Sequence, residues 1–187
     1  MEEHRWECVT KLKAVGFAMA FGLFLLLLAY SEPGFLFVVD HANLLFHEAG
    51  HPLIGIFSAR LEPYGGTIGQ LVFPCVLAVG CWRKGQVVGL AAAGIWFFEN
   101  WLNIARYIAD ARRLQLPLVG GGDHDWNTIL DRWGILQYEL QLAGIVSIIG
   151  WIGMIGAALW ILWRAWRDRF RSKEHLDSLA NACHLLP

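Results

Sequence analysis

The hydrophobic residues of this chain fall into long runs that short polar stretches separate. Each run approaches the roughly 20 apolar residues that an α-helix needs to cross a bilayer. We therefore predict an all-α integral membrane protein, with about five transmembrane or re-entrant helices packed in one bundle. The predicted membrane segments are residues 14–30, 35–57, 67–82, 87–108 and 142–163. Residues 67–82 are the best candidate for a re-entrant piece because they form the shortest run. Pro63 and Gly65-Gly66 predict a break before it.

Composition agrees with this pattern. Hydrophobic residues make up 56% of the chain and charged residues 17%, which is unusual for a soluble domain. Residues 164–187 form a basic tail in which four arginines and Lys173 lie close to Trp166 and Phe170. That mixture is typical of a helix end at the lipid headgroups and argues against nucleic-acid binding. Arg5, Lys11 and Lys13 and the arginines of the tail all favour the cytoplasm, whereas five crossings would separate the two chain ends, so the orientation stays open.

One motif inside the second run points to metal chemistry. Residues 47–51 read His-Glu-Ala-Gly-His. On a helix, His47 and His51 share one face and can bind the same Zn²⁺ ion, while Glu48 acts as general base on a water molecule. A charged group in the hydrocarbon costs about 2.5–3.5 kcal/mol on insertion scales, so such a cluster is expected to have a use. The alternative is a polar face that only packs against other polar helices.

Two further polar residues precede the motif in the same run. Asp40 has the helical spacing that places it on the face of both motif histidines. It can orient an imidazole or line a water path, or it can simply be a polar residue at the start of the helix. His41 projects toward the side of Glu48 and can pair with it, but we do not expect it to be a metal ligand.

A zinc site with an open position needs a third protein ligand from elsewhere in the chain. The best candidates are in residues 123–125, which follow three glycines that allow close backbone approach. We rank His124 first, Asp125 second and Asp123 third. The alternative interpretation is a capped helix start, with Asp125 or Asn127 capping a helix that runs through Trp133.

The fourth hydrophobic run carries a stripe of polar residues at helical spacing. Glu99, Asn100 and Asn103 are its central members. Polar side chains within membrane helices normally face the interior of the bundle. They are therefore predicted either to line the cavity of the metal site or to form a purely structural network between helices.

With these motifs in place, the chain resembles the site-2-protease-like (M50-type) membrane metalloproteases. The resemblance rests on the motif at residues 47–51, a glycine-rich segment at residues 65–70 and a polar cluster after Pro117, and it covers roughly residues 35–126. It implies that His47 and His51 bind zinc and that Glu48 is the base for peptide hydrolysis. The Asp-Gly motif that supplies the third ligand in that family is absent, and Asp123-His124-Asp125-Trp126 takes its place.

The leading hypothesis is therefore a single membrane-embedded metalloprotease domain over residues 1–187. It would bind Zn²⁺ and cleave a membrane-associated protein or peptide, in a small branch of the family found in the bacterial inner membrane. The alternative is a catalytically silent zinc protein that regulates a partner. A third possibility is a structural or transport bundle that binds no metal.

Overall fold

The computed structural model describes residues 6–31, 36–119 and 123–183, with side chains described as far as residue 170. The ordered elements are α1 (Lys11–Tyr30), α2 (Phe37–Gly55), α3 (Glu62–Arg83), α4 (Val87–Ala109), α5 (Asp125–Arg132), a 3₁₀ turn (Leu136–Tyr138) and α6 (Glu139–Cys183). No strand occurs in these ranges, and the all-α prediction is confirmed.

Four helical segments in the described ranges are long and apolar enough to cross a membrane: α1, α3, α4 and residues 136–170. They indicate that the protein inserts into a membrane. The predicted count of about five is corrected to four, because the run at residues 35–57 falls short. It forms α2, a 19-residue helix whose mean hydropathy is lowered by Asp40, His41 and the motif residues.

The third helix is longer than its hydrophobic run suggested. It begins at Glu62 and has 22 residues, so the expected break before residue 67 is absent. Pro63 occupies the first turn, where a missing N–H costs no helical hydrogen bond. Gly65 and Gly66 lie inside the helix and have another use.

That use is close packing of α3 against α2. A Cβ atom on Gly50 or Gly65 would overlap the backbone of the facing helix, and one on Gly69 would overlap the carbonyl of Phe46. Small residues at helical spacing allow membrane helices to approach to backbone contact. The motif helix is thereby fixed against the first half of α3.

The central helix of the bundle is α4, which packs against both α3 and α6. Its first half joins α1 and α6 in an apolar core that includes Val87, Met154 and Ile161. Its second half joins α5 and α6 in another core, around Ile108 and Leu130. The short helix α5 is therefore anchored by apolar packing where α4 ends.

Candidate metal centre

Three metal-ligating side chains converge between α2 and α5. His47 and His51 project from the same face of α2, and Asp125 is the first residue of α5. The Asp125 Oδ2 atom lies 2.9 Å from His47 Nε2 and 3.3 Å from His51 Nε2. We call these three residues the metal cluster.

The geometry of the metal cluster suits a metal ion. Its ligand atoms all lie within 4.8 Å of one another. Ligands around a tetrahedral Zn²⁺ are roughly 3.3 Å apart, given metal–ligand bonds of about 2.0–2.1 Å. Two imidazole nitrogens and one carboxylate oxygen also leave a fourth position open, as catalytic metal sites do. The cluster can therefore hold a metal ion.

The orientation of His51 is set by the backbone of α3. Its Nδ1 atom lies 3.0 Å from the carbonyl oxygen of Glu62. A carbonyl can only accept, so Nδ1 carries the proton and Nε2 presents its lone pair to the metal cluster. A hydrogen bond of this kind fixes both the tautomer and the ring orientation of a ligating histidine.

The position of His47 depends on a glycine. Its imidazole packs directly over Gly66, where a Cβ atom would overlap three atoms of the ring. His47 is only 6% exposed, and its ring also contacts the edge of Tyr107 at a centroid distance of 5.6 Å. The His47 ring therefore occupies the space that a side chain at residue 66 would fill.

Asp125 is held in place through α4. Its backbone N–H donates to the hydroxyl of Tyr107 over 3.3 Å. Two residues later, the Asn127 side chain donates to the carbonyl of Ala111 over 2.7 Å. With Leu130 fully buried in the core beside α4, the start of α5 has little freedom to move away from α2.

The structure places Asp125, the second choice from the sequence, in the metal cluster instead of His124. The His124 side chain caps α5: its Nδ1 accepts the backbone N–H of Asn127 over 3.2 Å. Its Nε2 faces Asp110 at 3.6 Å, and its ring lies over Tyr107 at 4.0 Å. Burial lowers the pKa of His124 below the ordinary histidine value.

Asp123, the third choice, is exposed on the cavity wall and is not among the three converging ligands. The three glycines before it, residues 120–122, lie outside the described residues. A helix does begin in this segment, at Asp125, but its N-cap is His124 instead of Asp125 or Asn127.

The metal cluster opens into a cavity of about 920 Å³. Glu48 lies in its wall and is partly exposed to it. The wall also includes apolar residues, among them Leu44 and Pro52 from α2 and residues 116–119 from the connection before α5. Pro52 lies inside α2, so the helix continues past the motif without ending there. The cavity therefore brings the Glu48 carboxylate and a cluster that could hold a metal ion onto one concave surface.

Asp40 and His41 also line this cavity, but their hydrogen bonds are at the start of α2. The Asp40 carboxylate accepts the backbone N–H of Leu36 and the side-chain amide of Asn103. It also lies 3.8 Å from an Arg106 nitrogen. The Nδ1 atom of His41 lies 2.6 Å from the carbonyl of Phe37. Asp40 therefore serves as a helix-start residue and as part of the cavity wall.

The polar stripe on α4 divides into two parts. Asn103 lines the cavity, whereas Glu99 and Asn100 are buried and are not among the lining residues. Asn43 of α2 donates to Glu99 over 2.9 Å and accepts from the Trp96 indole over 2.8 Å. We call Asn43, Trp96 and Glu99 the polar network; it matches the structural alternative.

Several residues of the site were missed by the sequence argument. Tyr107 contacts both His47 and His124, Gln70 is a buried residue of the cavity wall, and Gly66 accommodates a ligand. The spacing of Gly65 and Gly69 was an available signal, because a G-x-x-x-G pattern in an apolar segment indicates close helix packing. Nothing in the sequence singled out Gln70.

Comparison of the chain with protein-family models, with curated proteins and with solved structures gives no match in any of the three.

Proposed function

We propose that the protein is an integral membrane zinc metalloprotease. The observation that carries the proposal is the approach of Asp125 to both histidines of an H-E-x-x-H motif, on the wall of the cavity that also contains Glu48. Two imidazoles and a carboxylate form a ligand set used by hydrolytic zinc enzymes. The resemblance to the site-2-protease-like family, drawn from the sequence, supports this proposal, and we propose the bacterial inner membrane as the location.

When bound, zinc would polarise a water molecule and a peptide carbonyl. His47, His51 and Asp125 would hold it, and contacts with α3 and α4 fix their positions. Glu48 is adjacent to His47 on α2 and partly exposed to the cavity. Its carboxylate can therefore reach a water molecule beside the metal cluster.

Glu48 carries out both proton transfers of this reaction. The carboxylate accepts a proton from the attacking water as its oxygen bonds to the peptide carbonyl carbon. Glu48 then gives that proton to the amide nitrogen as the C–N bond breaks, which yields a carboxylic acid and an amine. The base returns to its ionised form, and one water is consumed for each bond cleaved.

The cavity supports a membrane-associated polypeptide as the substrate. Its wall combines leucine, valine and proline side chains with the polar cluster, so apolar residues of a substrate can be buried while one peptide bond reaches Glu48. A peptide inside a helix has its carbonyl already hydrogen-bonded, so the segment must be locally unwound at the cleaved bond.

The test is a Glu48→Gln variant reconstituted in lipid vesicles beside the parent protein. The probes are fluorescently labelled casein and a set of single-span fusion proteins. We expect about one zinc per chain in both proteins and cleavage by the parent alone, with a loss of at least 100-fold in the variant. Glu62→Gln is the matched control, since its carboxyl lines the cavity outside the motif.

Equal cleavage by the Glu48→Gln variant would refute the mechanism. Zinc in both proteins without cleavage of any probe by the parent would favour the silent zinc protein instead. A purified parent protein without stoichiometric metal would exclude both.

A further inference from the structure

The two ends of the described chain lie at one end of the bundle. The backbone N–H of Val9 donates to Asp168 over 3.0 Å, and Trp6 packs edge-on against Trp160 at 6.1 Å. The N–H of Glu7 donates to the carbonyl of Gly85, in the connection between α3 and α4. Residues 6–13, 83–86 and 160–169 therefore meet, and we call this region the terminal end.

The metal cluster lies toward the opposite end. There His51 contacts the start of α3, Asp125 contacts the last turn of α4, and Arg112 pairs with Glu139 at the start of α6 over 2.6 Å. The side chain of Arg132 reaches the carbonyl of Arg60 in the α2–α3 connection. Residues 58–62, 106–113 and 123–139 form this region, the site end.

The two ends are separated by about the thickness of a membrane. Helix α4 leaves the terminal end at Val87 and reaches the site end at Ala109. Its 23 residues span about 33 Å, against about 30 Å for the hydrocarbon core. Helices α3 and α6 run the opposite way, from the site end to the terminal end. Four crossings in the described ranges, an even number, agree with residues 6–13 and 160–169 lying on the same side.

The basic residues are distributed unequally between these ends. Of the 15 lysine and arginine residues of the chain, the site end has only Arg60, Arg106, Arg112, Arg113 and Arg132. The terminal end has Lys11, Lys13, Arg83, Lys84, Arg164, Arg167 and Arg169, and Arg171 and Lys173 follow in α6. Lysine and arginine near the ends of membrane helices are enriched on the cytoplasmic side.

We propose that the terminal end is cytoplasmic and that the metal cluster faces the opposite, non-cytoplasmic side of the membrane. The sequence predicted five crossings, which would put the basic residues near the two chain ends on opposite sides. Four crossings put them on the same side. The orientation follows from contacts and charge alone.

The identity of the substrate class rests on the proposed function. A site near the non-cytoplasmic surface receives polypeptide segments from that side: the outer part of a membrane helix or the stretch that follows it. Polypeptide segments confined to the cytoplasm could not reach the metal cluster, because the bundle separates it from the terminal end.

Cysteine labelling of intact expressing cells tests the orientation. Two single-cysteine variants are made in a background where all four native cysteines are replaced by serine. Ala59→Cys reports on the site end and Gln86→Cys on the terminal end; both side chains are exposed and uncharged. The Gln86 side chain makes no capping hydrogen bond to α4, so its loss is not expected to disturb the fold. The probe is a membrane-impermeant maleimide, applied before and after permeabilisation.

We expect Ala59→Cys to be labelled in intact cells and Gln86→Cys only after permeabilisation, with at least a tenfold difference in labelling. The reverse pattern would overturn the proposal, as would labelling of both variants, or of neither, in intact cells. Zinc content and casein cleavage are measured on the same variants. An inverted protein that binds zinc and cleaves would refute the orientation alone, and a correctly oriented protein without zinc would refute the proposed function alone.

Discussion

Helix α2 contributes to two groups of buried polar residues that differ in what their hydrogen-bonding atoms do. In the polar network, Asn43 donates to Glu99 and accepts from Trp96, so the polar atoms of neighbouring helices satisfy one another. In the metal cluster, two imidazole nitrogens and a carboxylate oxygen instead point toward one another.

This difference distinguishes buried polar residues with a structural role from those that could hold a metal ion. Buried polar residues in lipid are costly, so their presence alone suggests function. The polar network shows that the cost can be met by hydrogen bonds between helices. Among the described residues, the ligand atoms of the metal cluster converge on one point beside a cavity, and the polar network lacks this feature.

The largest expected effect comes from removing the third ligand. Asp125→Ala should reduce bound zinc from about one per chain to nearly none, because two imidazoles alone leave two coordination positions without protein ligands. His124→Asn is the matched control, since asparagine retains an acceptor at the N-cap of α5. Metal analysis of both purified variants is the measurement. Zinc lost from His124→Asn and kept in Asp125→Ala would reverse the assignment made here.

A smaller effect is expected at the glycine beneath His47. Gly66→Ala should weaken zinc binding by about 10- to 100-fold, the range seen when the support of a metal ligand is removed, because the new methyl group displaces the imidazole. Gly80→Ala lies in the same helix with open space around it and should leave the affinity unchanged. Competition with a zinc chelator measures both variants. Equal affinities would mean that His47 is free to shift without loss.

The smallest effect on metal binding is expected in the polar network. Asn43→Leu leaves Glu99 and Trp96 without their partner and should destabilise the fold by about 1–3 kcal/mol for each buried group left unpaired. Zinc content should stay near one per chain, because the hydrogen bonds of the three ligands do not involve Asn43, Trp96 or Glu99. Thermal unfolding and metal analysis are compared with the parent protein. Loss of zinc without loss of stability would contradict the separation of the two groups.

The sequence predicted the part of the site that local geometry determines. His47, Glu48 and His51 are related by helical spacing, so their common placement follows once α2 is a helix. Asp125 and His124 are neighbours, and their side chains leave the chain in different directions. Choosing between them required the orientation of α5 relative to α2, which depends on the packing of α5 against α4.

The fold was predictable in class and inexact in its boundaries. Apolar runs located α1, α3, α4 and α6, since each must meet the length of a bilayer. Glycine was misleading in α3: Gly65 and Gly66 are typical of a break in a soluble chain, whereas here they allow two helices to touch. The predicted number of crossings was wrong because α2 was counted as one. Its polar residues face other helices and a cavity and make it too polar to count as a span.

The hydrogen bond between His51 and the backbone of Glu62 affects which positions of this sequence can change during evolution. His51 is held by the main-chain oxygen of Glu62, so the side chain at position 62 can change without altering that hydrogen bond. Position 66 has no such freedom, since any larger residue would enter the space of His47. Among descendants that retain the metal cluster, we expect varied residues at position 62 and an invariant glycine one helical turn later.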